Sequence, residues 1–519
     1  MKFKKFITNP YLLISVSAIL SALPLTFSNL FFLSWISFIP FFYVIITHSK
    51  DKLKHAFAQG FLFGFIYHLF IYYWFWWFYP LDFAGLGTLA SIGVVLLASV
   101  GISIAHGVLW CIPFVICFAL KKITKNPLFL SFAAIVSTLA IPKVASLGEL
   151  SFPWVRLSLG QYKATALIQS ASLFGIDGVD FIILTVNALL TVFLLTKSKK
   201  RIVAIAAAAV IFTTNLCFGV IRLNNTSSER ELKIMTVQGS VPQNEKWASN
   251  GPAVCFDTYS TLTKENFTEG VGLILWPESA VPKVYTSEKK LKQYKQLSKE
   301  LDTPILAGIL IENGKKNTNS NILIDKDEVK ANYAKRHLVP FGEFMPYEKA
   351  LSKIFPFLTE LNIIEDDYIS GSDSVIMQIN GGKLGNIICF ENIYPELCRQ
   401  STLDGAEVII EASNDSWLKD SPAMTQHLAH AVFRSVENGR YLVRSANSGI
   451  SAVIDSRGNI KSQLDIDYEG TLTDTVCFED HLTLYTKVGN ILFPTLCGCL
   501  GILSVIFLIK RIKNKKSAK

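Results

Sequence analysis

Acidic residues are nearly missing from two long parts of this chain, residues 1–221 and 487–509, and charged residues fill only 18% of its 519 positions. Soluble domains average about 25%. A chain this long and this uneven is not one soluble globule. Zinc-type cysteine spacing is also absent. The nine cysteines include no CxxC pair, and Cys497-Gly-Cys499 lies inside an apolar run. No metal or cofactor is expected. Neither GxGxxG nor GxxxxGK[ST] occurs, so nucleotide binding has no support. No small-residue cleavage site followed by soluble chain appears after the first apolar run. The lysines before that run are therefore expected to open a retained membrane segment.

What is present is apolar and aromatic: half the residues are hydrophobic, with 37 Phe, 17 Tyr and 9 Trp. A bilayer-crossing helix needs about 20 apolar residues. Stretches 11–27, 29–47, 55–79, 87–120, 127–142, 173–196, 202–221 and 487–509 approach or meet that length. The net charge of +9 is concentrated in Lys2/Lys4/Lys5, Lys50/Lys52/Lys54, Lys121/Lys122/Lys125, Lys197/Lys199/Lys200/Arg201 and the tail from Lys510 to Lys519. Those segments carry 19 basic residues against one acid, Asp51. They open the chain and follow the second, fourth, sixth and eighth stretches, the alternation that the positive-inside rule gives when both termini are cytoplasmic. Nucleic acid binding is not expected. Residues 1–221 are read as seven transmembrane helices, 222–486 as a domain outside the cytoplasm, and 487–519 as an eighth helix with a basic tail.

Tyr72–Tyr79 is an aromatic run suited to a membrane interface or to a path for lipid. Residues 143–172, with Phe152-Pro-Trp154, are expected to lie amphipathically on the outer leaflet. Five cysteines (Cys111, Cys117, Cys217, Cys497, Cys499) read as small buried hydrophobes. A disulfide among Cys255, Cys398 and Cys477 stays open.

Between 232 and 480, short β-type runs alternate with helical patterns at 288–301 and 422–439, an α/β sandwich signature. Strands are expected at 232–238, 273–276, 305–310, 321–324, 375–379, 384–390, 408–412, 441–445 and 450–454. Three segments carry ionisable residues at or beside such runs: Leu273-Ile-Leu-Trp-Pro-Glu278, Tyr333-Ala-Lys335 through Glu343, and Leu384-Gly-Asn-Ile-Ile-Cys389-Phe-Glu391. Each alone is ordinary. Together they fill the roles of acyl transfer: Glu278 as general base, Lys335 as the cation that stabilises the oxyanion, and Cys389 as nucleophile. His337 stands beside Arg336, which disfavours an imidazolium there, so it is a poor base. Arg434, Glu437 and Arg440, spaced three apart, read as one paired helix face.

These three segments resemble the signature segments of the nitrilase superfamily, whose members use Glu, Lys and Cys in that order. Lys335-Arg-His-Leu-Val-Pro-Phe-Gly-Glu343, Val237-Gln-Gly239, Pro242-Gln243, Phe152-Pro-Trp154, Gln169 and the Gly175/Gly178/Asn187 spacing are similar to its membrane-embedded branch, the apolipoprotein N-acyltransferases. The sequence has Phe390 after the cysteine where many relatives have tyrosine.

The resemblance implies about eight transmembrane helices joined to an αββα nitrilase-like domain. It implies that Cys389 takes an acyl chain from a phospholipid, phosphatidylethanolamine by expectation, and passes it to the α-amino group of a diacylglyceryl-cysteine on an apolipoprotein. Glu343 is expected to position Lys335 or move a proton, and Glu391 to orient the site or an acceptor amine. Trp247, Phe390 and Trp276 stand as candidates for substrate contact. A monomer in the cell inner membrane with a periplasmic catalytic domain is the resulting picture. The segment around Phe355-Pro-Phe357 is a candidate lid. A membrane-anchored nitrilase-like hydrolase is the alternative. A transporter-like scaffold is disfavoured because the spans hold few ionisable residues, chiefly His68, His106, Asp177 and Asp180.

Overall fold

In a computed structural model the described residues are 9–48, 52–81, 86–224, 229–285, 291–314, 316–354 and 368–517. They fall into two compact units, one drawn from 1–79, 88–224 and 488–519, the other from 80–87 and 225–487.

The first unit is helical because its apolar runs are long and begin at good caps. Asn9 and Asn126 accept backbone N–H bonds from Tyr11 and from Leu128 and Phe129, at 3.0–3.2 Å, and each precedes a proline at the first helical position. Among the described residues seven helical stretches are long and apolar enough to cross a membrane: Ser28–Thr47, Leu53–Phe78, Thr88–Lys121, Pro127–Ala145, Ala171–Leu195, Lys200–Leu223 and Leu492–Ser517. The helix Pro10–Thr26 is apolar but has only 17 residues. Asn187 ties two spans together, accepting from Phe38 N and donating to Ser34 O, each at 2.9 Å. With no water to satisfy such groups, polar side chains inside a bundle must find each other or the backbone.

Residues 143–172 depart from the amphipathic surface segment expected. Trp154 and Leu157–Gln161 are buried within the helical unit. The cause is Arg156. Its guanidinium is ion-paired with both Asp177 and Asp180, and Lys143 Nζ lies 2.6 Å from Asp177. Two acids and a buried arginine can leave water only together. The aromatic run is likewise half internal, with Tyr72 and Trp74 buried and Trp76 and Tyr79 exposed. Of the five cysteines expected to be buried, Cys111 and Cys117 are, whereas Cys217, Cys497 and Cys499 face outward, and all nine are free thiols.

The second unit has thirteen described strands: β1 Glu231–Gln238, β2 Val271–Leu275, β3 Val281–Tyr285, β4 Ile305–Asn313, β5 Lys316–Asp325, β6 Glu328–Ala334, β7 Met377–Ile379, β8 Gly382–Ile388, β9 Val408–Ser413, β10 Tyr441–Ala446, β11 Ala452–Ile454, β12 Ile460–Gln463 and β13 Gly470–Cys477. They form a sheet in the order β13-β1-β2-β4-β5-β6, with β3 beside β4, and a second in the order β12-β11-β10-β9-β8-β7. The central strands β1, β2 and β4 run parallel, as do β8, β9 and β10. Ile234, Leu273, Leu275, Leu384, Val408 and Val443 belong to one core cluster between the sheets. Trp276, Tyr259 and Tyr294 fill another between the first sheet and the helices Gly251–Asn266 and Lys292–Glu300. The result is the helix-sheet-sheet-helix layering, with Pro395–Leu403 and Pro422–Asn438 as the outer helices of the second sheet. Arg434 pairs with Glu437 at 2.8 Å, but Arg440 lies beyond that helix and donates to the carbonyls of Ala406 and His481, so the three do not form one face.

Replacing Arg156 by alanine leaves Asp177 and Asp180 without their shared cation. We expect a loss of about 3–5 kcal/mol, read as a lowered thermal midpoint of the purified protein in detergent. Adding Asp177→Asn and Asp180→Asn should recover part of it. An unshifted midpoint in the single variant would show that the cluster contributes nothing.

Candidate active site

The three candidate residues each follow the end of a strand. Glu278 sits in the turn after β2, Lys335 directly follows β6, and Cys389 directly follows β8. Trp276 N donates to Leu306 O and Gly308 N to Pro277 O, fixing the Glu278 turn against β4. A Cβ on Gly308 would lie 2.6 Å from Glu278 Cα, so only glycine lets β4 approach this closely. Lys335 N donates to Asn319 O at 2.8 Å, which ties the lysine to β5.

Lys335 is buried, and its Nζ lies 3.0 Å from Glu278 Oε1 and 2.9 Å from Glu343 Oε1. Asn319 Nδ2 donates to the same two oxygens at 2.7 and 2.9 Å. Val339 N donates to Glu343 Oε2 at 2.8 Å. Burial works to lower the Lys335 ammonium, but Glu278 and Glu343 outweigh it and hold it well above its ordinary value. Lys335 is a fixed cation. Glu278 Oε2 takes no hydrogen bond among the described residues, so one carboxylate oxygen stays open for a proton.

Cys389 is partly exposed and has φ +50°, a left-handed conformation costly for a non-glycine residue. Two contacts hold it. Ile388 N donates to Glu391 Oε2 at 2.7 Å, and His427 Nε2 lies 3.1 Å from the Cys389 carbonyl oxygen. Burial and then the Glu278 charge raise the thiol well above its ordinary value, against the opposing pull of Lys335. The sulfur therefore rests as a thiol and needs a base to ionise.

Glu391 is fully used. Its Oε1 accepts from the N–H groups of Arg336 and His337 at 2.6 and 3.2 Å, and its Oε2 accepts from Tyr333 Oη at 2.8 Å besides Ile388 N. Four donors on a completely buried carboxyl leave no lone pair facing a substrate, so of the two roles expected for Glu391, orienting the site or an acceptor amine, the contacts fit the first. It braces the Lys335 segment and the Cys389 turn to each other. Trp276 is a core residue donating to Thr263 Oγ1 at 3.1 Å, and Phe390 is buried against Tyr394. Trp247 remains 46% exposed, with Nε1 on Gln243 Oε1. His337 stacks on Tyr394 at 4.1 Å, and burial and Arg336 lower its imidazole. Residues 355–367, with Phe355-Pro-Phe357, lie outside the described residues.

Several site residues escaped sequence reading. Lys246 is fully buried and donates to the Glu278 carbonyl at 3.2 Å, and burial brings its ammonium down to about 8. Asn319 could have been found as a buried amide in the polar run Asn317-Thr-Asn319-Ser-Asn321. Asp415, His427 and Arg444 form a second buried polar group behind Cys389. Asp415 follows β9 as Glu278 follows β2, so the rule of an acid past a strand tip points to it as well. Ligand atoms of Cys389, Asp415 and His427 lie within 4.8 Å of one another. His427 Nδ1, however, is 2.9 Å from Arg444 Nη2, and Nε2 faces a carbonyl. The imidazole has no free lone pair for a metal.

A family model described as carbon-nitrogen hydrolase matches residues 241–480, and one described as apolipoprotein N-acyltransferase N-terminal domain matches 17–189. The chain is 27% identical to the apolipoprotein N-acyltransferase of Geobacter metallireducens over 97% of its own length and 96% of that protein's. It is also 27% identical to apolipoprotein N-acyltransferase 1 of Treponema denticola over 97% of each. Among solved structures, a CN-hydrolase superfamily protein from Xanthomonas campestris superposes with a TM-score of 0.38 at 17% identity, over 52% of this chain and 97% of that one. With both halves matched and relatives aligned end to end, the chain belongs to the apolipoprotein N-acyltransferase family, membrane acyltransferases built on a carbon-nitrogen hydrolase unit.

Proposed function

We propose that this enzyme moves an acyl chain from a phospholipid, with phosphatidylethanolamine the expected donor, through a thioester on Cys389 to the α-amino group of an N-terminal diacylglyceryl-cysteine. The observation that carries the reading is the Lys335 ammonium clamped between Glu278 and Glu343 beside a thiol on a strained turn. Glu278 takes the Cys389 proton through its open oxygen as sulfur attacks the ester carbon. Lys335 then faces the oxyanion that forms. Glu278 returns the proton to the departing lysophospholipid, leaving the thioester. Attack by the acceptor amine forms the amide and releases the thiol. Glu343 acts here by fixing Lys335, and Glu391 by holding the two segments in register.

The membrane helices and the alternating basic segments support a multi-pass protein of the inner membrane with both termini cytoplasmic and the 222–486 domain on the periplasmic side, where both lipid substrates would be met. The same three residues could pass the acyl chain to water, so hydrolysis is the outcome that the assay must separate.

Vesicles of phosphatidylethanolamine should give an acyl adduct on Cys389 by intact mass. Addition of a diacylated lipopeptide with a free N-terminal cysteine should then yield an amide-linked third chain. Cys389→Ala should stay folded and carry no adduct, and an adduct in that variant would refute the assignment. Fatty acid release without amide would mark a hydrolase. Glu278→Gln should slow adduct formation by about 100- to 10,000-fold, and wild-type acylation would remove Glu278 as the base.

The raised thiol gives a pH test. Below its pKa the thiolate fraction grows about tenfold per unit, so alkylation of Cys389 in the lipid-free enzyme should keep rising through pH 9. Lys335→Met removes the opposing cation, and alkylation at pH 8 should fall about tenfold or more. A plateau below pH 8 in the wild type would contradict the burial argument.

A further inference from the structure

The acyl-transfer reading leaves one task unassigned. The second substrate presents an α-ammonium, which must be held beside the thioester. Of the carboxylates near Cys389, Glu391 is saturated by four neutral donors, and Glu343 is taken up by Lys335, Asn319 and Val339 N. Glu278 has one open oxygen, and that oxygen is the base.

Asp415 differs in that one of its oxygens, though hydrogen-bonded, reaches the sulfur itself. Its Oδ1 lies 4.0 Å from Cys389 Sγ, the outer reach of an S–H···O contact. The carboxylate is built into place: Oδ1 accepts from Ser413 Oγ at 2.9 Å and contacts His427 Nδ1 at 3.0 Å, and Oδ2 is ion-paired with Arg444. A Cβ on Gly449 would come within 2.3 Å of Oδ2, so the adjoining loop closes down on it without a side chain. Burial works to raise the Asp415 carboxyl, but Arg444 and His427 outweigh it and keep it well below the usual range. It stays ionised.

We propose that Asp415 docks the acceptor's α-ammonium in the second half-reaction, with His427 and Arg444 as positioning residues that aim its Oδ1 at the thioester. The inference rests on the acyl-transfer reading above. In the free enzyme Oδ1 lies within the outer reach of the thiol as a donor. Acylation removes the thiol proton and opens the Sγ–Oδ1 direction to a new donor, so the ammonium is favoured only once the thioester exists. The docked ammonium gives one proton to the open oxygen of Glu278. Its nitrogen lone pair then forms the C–N bond to the thioester carbon. The C–S bond breaks with its electron pair going to Sγ, and the nitrogen's second proton goes to Sγ, which restores the thiol.

The test uses the full-length protein charged from phosphatidylethanolamine vesicles. Its acyl-enzyme is then discharged either by the diacylated lipopeptide or by hydroxylamine, a nucleophile that is neutral at pH 7. In Asp415→Asn, hydroxylamine discharge of the preformed acyl-enzyme should stay within about twofold of wild type. Discharge to lipopeptide should fall about tenfold to a hundredfold, the loss of one charge-assisted hydrogen bond, mainly as a raised KM. Asp415→Glu should restore part of it. If lipopeptide discharge is unchanged, or the two discharge rates fall together, the proposal is overturned. Should the variant not fold, inhibition of the wild type decides. A lipopeptide with a dimethylated terminal amine, cationic but unable to form a stable amide, should compete at least about tenfold better than its neutral N-acetyl counterpart; equal inhibition overturns the docking role. A wild-type enzyme that forms no acyl-enzyme would instead defeat the acyl-transfer reading itself.

Discussion

Lys335 carries a full positive charge into a place from which water is nearly excluded, and the α/β unit is arranged to make that tolerable. Removing an ammonium and two carboxylates from water costs several kcal/mol per ion, recovered only where geometry is good and the remaining donors and acceptors are filled. Glu278 comes from the turn after β2, Glu343 from the loop past Lys335, and Asn319 from β5, and all meet within 3.0 Å contacts. The missing side chain at Gly308 lets β4 seat the Glu278 turn at that depth. The cation then has a second consequence. It is the charge that pulls the Cys389 thiol down while burial and Glu278 push it up, so the sulfur's reactivity is set by the same cluster that holds the strands together.

The carboxyls of this region divide by what holds them. Glu391 is held mostly by backbone N–H groups and a phenol, all neutral, and burial raises it above its ordinary value. Such a group suits bracing, since it fixes two chain segments and contributes little field. Asp415 is held by a guanidinium and an imidazole and is driven the opposite way. A carboxyl kept ionised beside the sulfur acts at a distance as well as by contact. The difference lies in the partners, and sequence position alone gives no hint of it, since Glu391 is two residues from Cys389 and Asp415 is twenty-six away.

What could be read from the sequence follows the same physics. Parallel strands buried on both faces are written as continuous apolar runs, which is why β1, β2, β4, β8, β9 and β10 were expected close to their observed positions. The strands that were missed are β3, β6, β12 and β13; β3 is a short parallel strand beside β4 alone, and the other three lie at the sheet margins, pair antiparallel, and mix polar with apolar residues, as in Glu328-Val-Lys-Ala-Asn-Tyr-Ala334. Glu278, Lys335 and Cys389 could be singled out as candidates because each stands at or beside a strand end, and the fold gathers them. His427 and Arg444 could not be singled out. They lie within a helix and a strand, and what brings them to Cys389 is the pairing of β9 with β8 and β10 together with the packing of Pro422–Asn438. Residues 143–172 misled for a related reason. Their pattern of apolar and polar residues suits a membrane surface, and only the pairing of Arg156 with acids 21 and 24 residues later draws the segment inside.

On the proposed mechanism, the raised thiol also bears on why an acyl chain carried by Cys389 would reach an amine before water. A thiolate from a thiol of high pKa leaves slowly, so a thioester on Cys389 is a less activated acyl donor than one on an acidic cysteine. That slowness applies to any attacking group. The difference between nucleophiles must then come from position: water is abundant but unoriented, whereas an amine held by a charge beside the sulfur is presented at near-attack distance, where orientation alone is worth many orders of magnitude. A weak leaving group together with a docked acceptor yields transfer, and without the docking it yields slow hydrolysis. On this view the charge that fixes the acceptor decides between the two reactions more than the three residues that form the thioester.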